Sequence, residues 1–200
     1  MRKPSVNFAR SAVRPDQFPA DGLPEIAFLG RSNVGKSSLI NALAGTRRLA
    51  RVSATPGRTR TVNFFRWNDE LYLADLPGYG YARVPDAVRR EWEPMAVAYL
   101  AGRATLALGI LVVDARREPG EADAMLERFL SQQRIEYVVA ATKLDALRRG
   151  QQQTKLSALD RRFAPREVFP VSAETGFGID ALRRRVLESA RATARPEVTA

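Results

Sequence analysis

Two hundred residues, with 32 basic against 22 acidic side chains and a net charge of +10, suit one domain with a sizeable core and a polyanionic partner. The absence of cysteine and histidine excludes disulfides, thiolate metal centres and imidazole catalysis. No apolar run approaches the ~18 residues of a membrane span, and the basic N-terminus lacks an apolar core, so neither a membrane partner nor a secretory signal is expected.

In chain order, residues 1–24 hold one possible strand, Val6 to Val13, and then a loop broken by Pro15, Pro19, Gly22 and Pro24. Ile26–Leu29 reads as the first core strand. Apolar residues at helical spacing follow from Ser37, and Gly45 is placed to end that helix. Thr46 to Thr61 is basic and interrupted by Pro56-Gly57, so an exposed loop is expected. Val62–Trp67 and Leu71–Asp75 read as a hairpin around Asn68-Asp69-Glu70. Gly78 to Val84 is a second loop, and a helix runs on to about Ala101, with Pro94 as a kink. Leu106–Asp114 is the most continuous apolar run, as a central parallel strand should be. Helices near 121–132, 152–163 and 178–193 alternate with strands at 136–141 and 167–171, and the tail from 194 is expected to fray. This alternation predicts an α/β fold. We expect a doubly wound, mostly parallel six-stranded sheet with one antiparallel strand and helices on both faces.

The chain is organised around Glu25–Ala44. A short apolar strand leads into Gly30-Arg31-Ser32-Asn33-Val34-Gly35-Lys36-Ser37, the G-x-x-x-x-G-K-S pattern of a P-loop, and then into a helix. Glycines 30 and 35 permit the tight turn that points N–H groups at a phosphate chain. Lys36 can reach the β- and γ-phosphates, and the Ser37 hydroxyl can ligate magnesium. Only four of the 32 basic residues are lysine, yet one stands at position 36, where a slim ammonium must enter the cradle.

Three later motifs acquire weight from this P-loop. Asp75-Leu76-Pro77-Gly78 ends a strand, so Asp75 can hold magnesium through water and the Gly78 N–H can meet a γ-phosphate. On its own that tetrapeptide reads as a turn. Thr142-Lys143-Leu144-Asp145 also follows a strand; the Asp145 carboxylate can accept from guanine N1–H and the exocyclic amine, for which adenine has no equivalent. Lys143 can lay its stem along the base; the bland alternative is a helix N-cap beside a surface lysine. Ser172-Ala173 lies at the end of the last strand, where small residues let N–H groups approach guanine O6. Thr59, in the basic loop, is a second candidate magnesium ligand.

This order of motifs resembles that of translation-factor-class GTPases. More narrowly, Gly-Arg-Ser-Asn-Val-Gly-Lys-Ser-Ser, Thr-Pro-Gly-Arg-Thr and Asp-Leu-Pro-Gly-Tyr-Gly-Tyr-Ala resemble the EngB (YihA/YsxC) family of bacterial GTPases. The resemblance implies a G domain over 25–193, with 1–24 as an extension packed on it and 194–200 as a flexible tail. It implies GTP or GDP as ligand, bound by Gly30, Arg31, Ser32, Asn33, Val34, Gly35, Lys36, Ser37 and Ser38. Further contacts fall on Gly57, Arg58, Thr59, Arg60 and Thr61, on Asp75, Leu76, Pro77 and Gly78, and on Thr142, Lys143, Leu144 and Asp145. Val171, Ser172 and Ala173 complete the set. Magnesium falls to Ser37 and Thr59, with Asp75 acting through water, and catalysis to Lys36, Thr59, Asn33 and Gly78.

The implied activity is hydrolysis of GTP in the cytoplasm, by a monomer that helps assemble the large ribosomal subunit and supports septation and cell division. Its partners would be that subunit or its precursor and ribosomal RNA, with Arg183–Arg185 among the candidate contacts. Two alternatives stay open: an RNA-binding assembly protein that keeps GTP as a structural ligand, and a regulatory GTPase acting on a division protein. Tyr79 stands where many GTPases carry a water-orienting glutamine, so intrinsic turnover is expected to be slow. Asn33 resembles the asparagine of potassium-activated relatives, which makes K+ a candidate cofactor.

Overall fold

The computed structural model describes residues 4–46, 48–50, 61–78 and 95–194. Its strands are β1 (Val6–Ala12), β2 (Glu25–Gly30), β3 (Val62–Trp67), β4 (Leu71–Asp75), β5 (Leu106–Asp114), β6 (Tyr137–Thr142) and β7 (Val168–Pro170). Helices are α1 (Lys36–Ala44), α3 (Glu121–Gln132), α4 (Arg149–Phe163) and α5 (Ile179–Ala194), with α2 described over 95–102.

The strands form a single sheet in the order β1-β3-β4-β2-β5-β6-β7. β2 is central and runs parallel to β4 and β5, whereas β3 runs antiparallel to β1 and β4. The doubly wound sheet with one antiparallel strand is therefore present. Its strand count is seven, not six. The added member is β1, whose middle five residues are exposed and whose register with β3 is bulged between Phe8 and Arg10. A bulged, polar edge strand resists further pairing, which suits the end of a sheet.

Period-2 alternation divides the core between the two faces. Ile26, Phe28, Leu108, Ile110, Val112 and Val138 pack with Leu39, Ile40 and Leu43 of α1 and with Leu182 and Val186 of α5. Ala27, Leu29, Leu111, Val113 and Val139 pack instead with Met95 and Tyr99 of α2, Leu130 of α3, and Leu159 and Phe163 of α4. Each fully buried leucine or phenylalanine stabilises the fold by about 1.5–3 kcal/mol before entropy is subtracted.

The predicted helix at 152–163 begins earlier, at Arg149. Its first turn is Arg149-Gly150-Gln151-Gln152, which has no apolar residue to reveal the period. Gly45 ends α1 as expected, in left-handed backbone (φ 65), with its N–H turned back to Asn41 and Ala42.

At the amino end of β2 lies a buried carboxylate. Glu25 is fully buried and accepts from Tyr99 Oη at 2.7 Å, Thr105 Oγ1 at 2.9 Å and Arg103 Nε at 2.9 Å. Arg103 also donates to the Pro19 carbonyl and stacks on Phe18, its guanidinium carbon 5.6 Å from the ring centre. A buried charge is tolerable only when paired and hydrogen-bonded to this degree. The group joins residues 18–19, β2 and the end of α2 on the side of the sheet away from the P-loop.

Candidate functional site

The carboxyl ends of β2, β4, β5 and β6 reach the same edge of the sheet, the edge where open α/β sheets hold ligands. β2 is buried along its whole length and stops at Gly30. A Cβ there would sit 2.5 Å from the Val112 carbonyl oxygen of β5, an approach that only glycine allows. The chain then passes through left-handed backbone at Asn33 (φ 63) and Gly35 (φ 106) before α1 begins at Lys36. Gly35 is the N-cap of α1 and brings no side-chain acceptor, so the first-turn N–H groups are left to serve an anion.

Lys36, Ser37 and Asp75 meet beneath this loop. Burial pushes the Lys36 ammonium below its ordinary value, with the Asp75 charge opposing. Burial likewise pushes the Asp75 carboxyl up, opposed by Lys36 and by a hydrogen bond from Ser37. Asp75 Oδ1 is buried without a hydrogen-bond partner among the described residues. An acceptor short of donors, beside a serine hydroxyl and a desolvated cation, fits a hydrated magnesium ion with phosphate oxygens. Among the described residues no group of three or more Asp or Glu side chains could cage a metal alone, so such an ion would need those phosphates.

Gly78 closes the other side. A Cβ on it would lie 2.6 Å from Ser32 Oγ and 3.0 Å from both Ser32 N and Cα. The Asp75–Gly78 segment is thus packed directly on the P-loop.

The third part is the turn after β6. The Thr142 hydroxyl lies 2.5 Å from the Val34 carbonyl and 3.0 Å from that of Val113; its single proton can serve one of them at a time. Lys143 (φ 60) sends Nζ to the Asn33 carbonyl at 2.6 Å. Leu144 is buried, and Asp145 is exposed in the 3-10 turn Leu144–Ala146. Gln152 Nε2 braces that turn by donating to the carbonyls of Leu144 (3.2 Å) and Leu147 (3.1 Å). Val171 and Ser172 are buried beside it, with the Leu144 N–H facing the Val171 carbonyl at 3.5 Å. The Ser172 N–H is taken by the Phe177 carbonyl at 2.9 Å, whereas Ala173 beside it is exposed.

A family model described as a 50S ribosome-binding GTPase matches residues 25–143. The probable GTP-binding protein EngB of Geobacter sulfurreducens is 47% identical over 184 residues, spanning 91% of this chain and 89% of that protein. Its counterpart from Solibacter usitatus is 49% identical over 174 residues, 87% of this chain and 90% of that one. This chain belongs to the EngB family of GTP-binding proteins. A crystal structure of a probable GTP-binding protein EngB superposes with a TM-score of 0.69 at 29% identity, covering 84% of this chain and 99% of that one. Aquifex aeolicus Era superposes at 0.68 over 82% of this chain and 56% of that one; at 21% identity it speaks to the fold alone.

In this EngB-family chain Gly57, Arg58, Thr59 and Arg60 lie outside the described residues, as does Tyr79. Thr61, just inside them, donates to Asn63 Oδ1 at 3.2 Å. Arg31 points its guanidinium toward Gly120 on the rim, and Ser38 is half-buried in the first turn of α1. Two site residues escape the sequence reading, Asp114 and Arg116. Asp114 ends β5 as Asp75 ends β4, a signal that the apolar run before it already offered. Burial alone would raise its carboxyl, but hydrogen bonds from Arg116 and Lys143 hold it down at about 2. Within the basic run at 183–185, two of the three arginines have partners inside the fold. Arg183 is tied to Asp180 and to the Leu43 carbonyl, and Arg185 to Glu136 and Glu167. Arg184 alone of the three is exposed.

Proposed function

We propose that the chain is a GTP-hydrolysing switch acting in assembly of the large ribosomal subunit in the cytoplasm, and needed through that role for normal septation. The observation that supports the switch reading is the packing of Gly78 on Ser32, which would bring the Gly78 N–H within reach of a γ-phosphate held by the P-loop. Lys36 would span the β- and γ-phosphates from the buried side, its desolvated charge matched by theirs. Ser37 and Thr59 would hold magnesium directly and Asp75 through water; the ion supplies charge neutralisation of the phosphates. Asp145 would read the guanine edge while Lys143 lies along the base and Ala173 meets O6.

The family model's description and the net charge of +10 together favour ribosomal RNA in the large subunit as the partner. With Arg183 and Arg185 engaged internally, the phosphate contacts would come from exposed residues such as Arg148, Arg149, Arg161 and Arg184. Co-sedimentation with large subunits tests this. Binding is expected with a non-hydrolysable GTP analogue, weaker with GDP, and falling steeply as salt rises from about 50 to 200 mM. Equal binding in both nucleotide states, or a flat salt response, would count against the proposal.

Hydrolysis without the usual glutamine calls for another source of transition-state charge. Asn33 stands exposed on the loop in left-handed backbone, where its side-chain carbonyl could join phosphate oxygens around a potassium ion. Turnover is expected to be slow in sodium and clearly faster in potassium. Asn33→Ala should remove that difference while leaving GDP binding nearly intact. Equal rates in both salts, with large subunits present, would assign the missing charge to the partner.

A further inference from the structure

Three distant segments of the chain meet at one ammonium group. Lys143 Nζ, from the base turn, lies 2.6 Å from the Asn33 carbonyl of the P-loop and 3.0 Å from Asp114 Oδ2 at the end of β5. Asp114 is 7% exposed and cannot turn away. Arg116 grips it through Nε at 2.9 Å and Nη2 at 2.7 Å, and the Arg116 N–H reaches Oδ1 at 3.1 Å. We propose that Asp114 is a positioning residue for guanine-nucleotide retention: by fixing Lys143, it holds the P-loop and the base turn together around the bound nucleotide.

The physical case begins with the lysine. Its stem has four rotatable carbons, and the Asn33 carbonyl alone would give the ammonium one neutral acceptor and leave its charge unmatched. A buried carboxylate adds a charge-assisted hydrogen bond, roughly twice as strong as a neutral one. The Lys143 side chain is 31% exposed, so water competes for the ammonium wherever the carboxylate is absent. With Asp114 in place, the stem is fixed before nucleotide arrives, and the surface on which the base lies is set in advance. On this proposal, release parts the base turn from the P-loop and so breaks the Lys143–Asn33 link. Asp114 should therefore act on the dissociation rate, with association, limited by encounter, nearly unaffected. The proposed role is distinct from reading the base: Asp114 would act through Lys143, to which it is hydrogen-bonded at 3.0 Å.

The inference rests on the guanine-nucleotide reading of the site, and the experiment separates the two. Stopped-flow kinetics with fluorescent N-methylanthraniloyl GDP are compared for the parent, Asp114→Asn, Lys143→Met and the double variant. Parental binding tests the reading itself; a parent that binds none of this probe overturns that reading. Given binding, Asp114→Asn is expected to raise the dissociation rate about tenfold, the scale of one charge-assisted bond, and to change association less than about twofold. In the Lys143→Met background the same substitution should add nothing, a coupling that a purely structural role would not produce. An unchanged dissociation rate, or an undiminished effect without Lys143, overturns the proposal. If Asp114→Asn does not fold, Arg116→Ala takes its place. That substitution loosens the carboxylate from outside and should raise dissociation about threefold only while Lys143 is present; no rise, or a rise independent of Lys143, again overturns it.

Discussion

Asp145→Asn is expected to weaken GTP and GDP binding by at least ~2 kcal/mol, roughly thirtyfold in affinity. Asp145 sits exposed at the centre of a 3-10 turn, while its neighbours Thr142 and Leu144 are buried and Gln152 braces the turn from below. The turn is therefore rigid enough to hold a carboxylate against the base edge. Guanine presents two donors there, N1–H and the exocyclic amine. A carboxylate accepts both, whereas an amide offers one acceptor and sets its own N–H against a donor. Xanthine carries a carbonyl in place of that amine, so the variant should lose less, or even gain, with xanthosine nucleotides. Titration calorimetry with both nucleotide types checks this. Parental affinity of Asp145→Asn for GTP would remove Asp145 from the site.

Gly78→Ala should leave GDP affinity within about twofold of the parent and lower GTP turnover by about a hundredfold or more, the scale seen when one transition-state donor is lost. The new Cβ would meet Ser32 Oγ at 2.6 Å, which a rotamer change could relieve, but also Ser32 N and Cα at 3.0 Å, which it could not. The Asp75–Gly78 segment must then withdraw from the P-loop. GDP has no γ-phosphate and should not register the withdrawal; GTP chemistry should. Single-turnover hydrolysis beside GDP titration separates the two, and near-parental hydrolysis would show that Gly78 carries no contact to the transferred group.

Much of this arrangement was legible in the residues. The P-loop, the Asp75–Gly78 segment and the turn at 142–145 are contiguous motifs, and apolar runs such as Leu106–Asp114 declare buried strands through their own composition. What escaped depends on partners far away in the chain. β1 reads in sequence only as a possible strand, and its place as a seventh member of the sheet comes from pairing with β3, in a register that runs from Val6–Trp67 to Ala12–Val62. Arg183 and Arg185 look like solvated charge in sequence, yet Glu136 and Glu167 claim the second of them from flanks of the sheet. Asp114 and Lys143 stand 29 residues apart, and nothing local to either announces the other.

The buried Glu25 group would limit how far a signal from the proposed nucleotide switch could travel. Glu25 opens the strand whose other end carries the P-loop, while Tyr99 and Arg103 lie at and just beyond the end of α2, downstream of Gly78. Strand and helix are staked to one another at the end remote from the phosphates. In the proposed switch, a rearrangement that reached Tyr99 would have to break its hydrogen bond to the buried Glu25. The far half of such a switch would be insulated from the state of the nucleotide and the message confined to the phosphate-side surface, where a bound particle could read it.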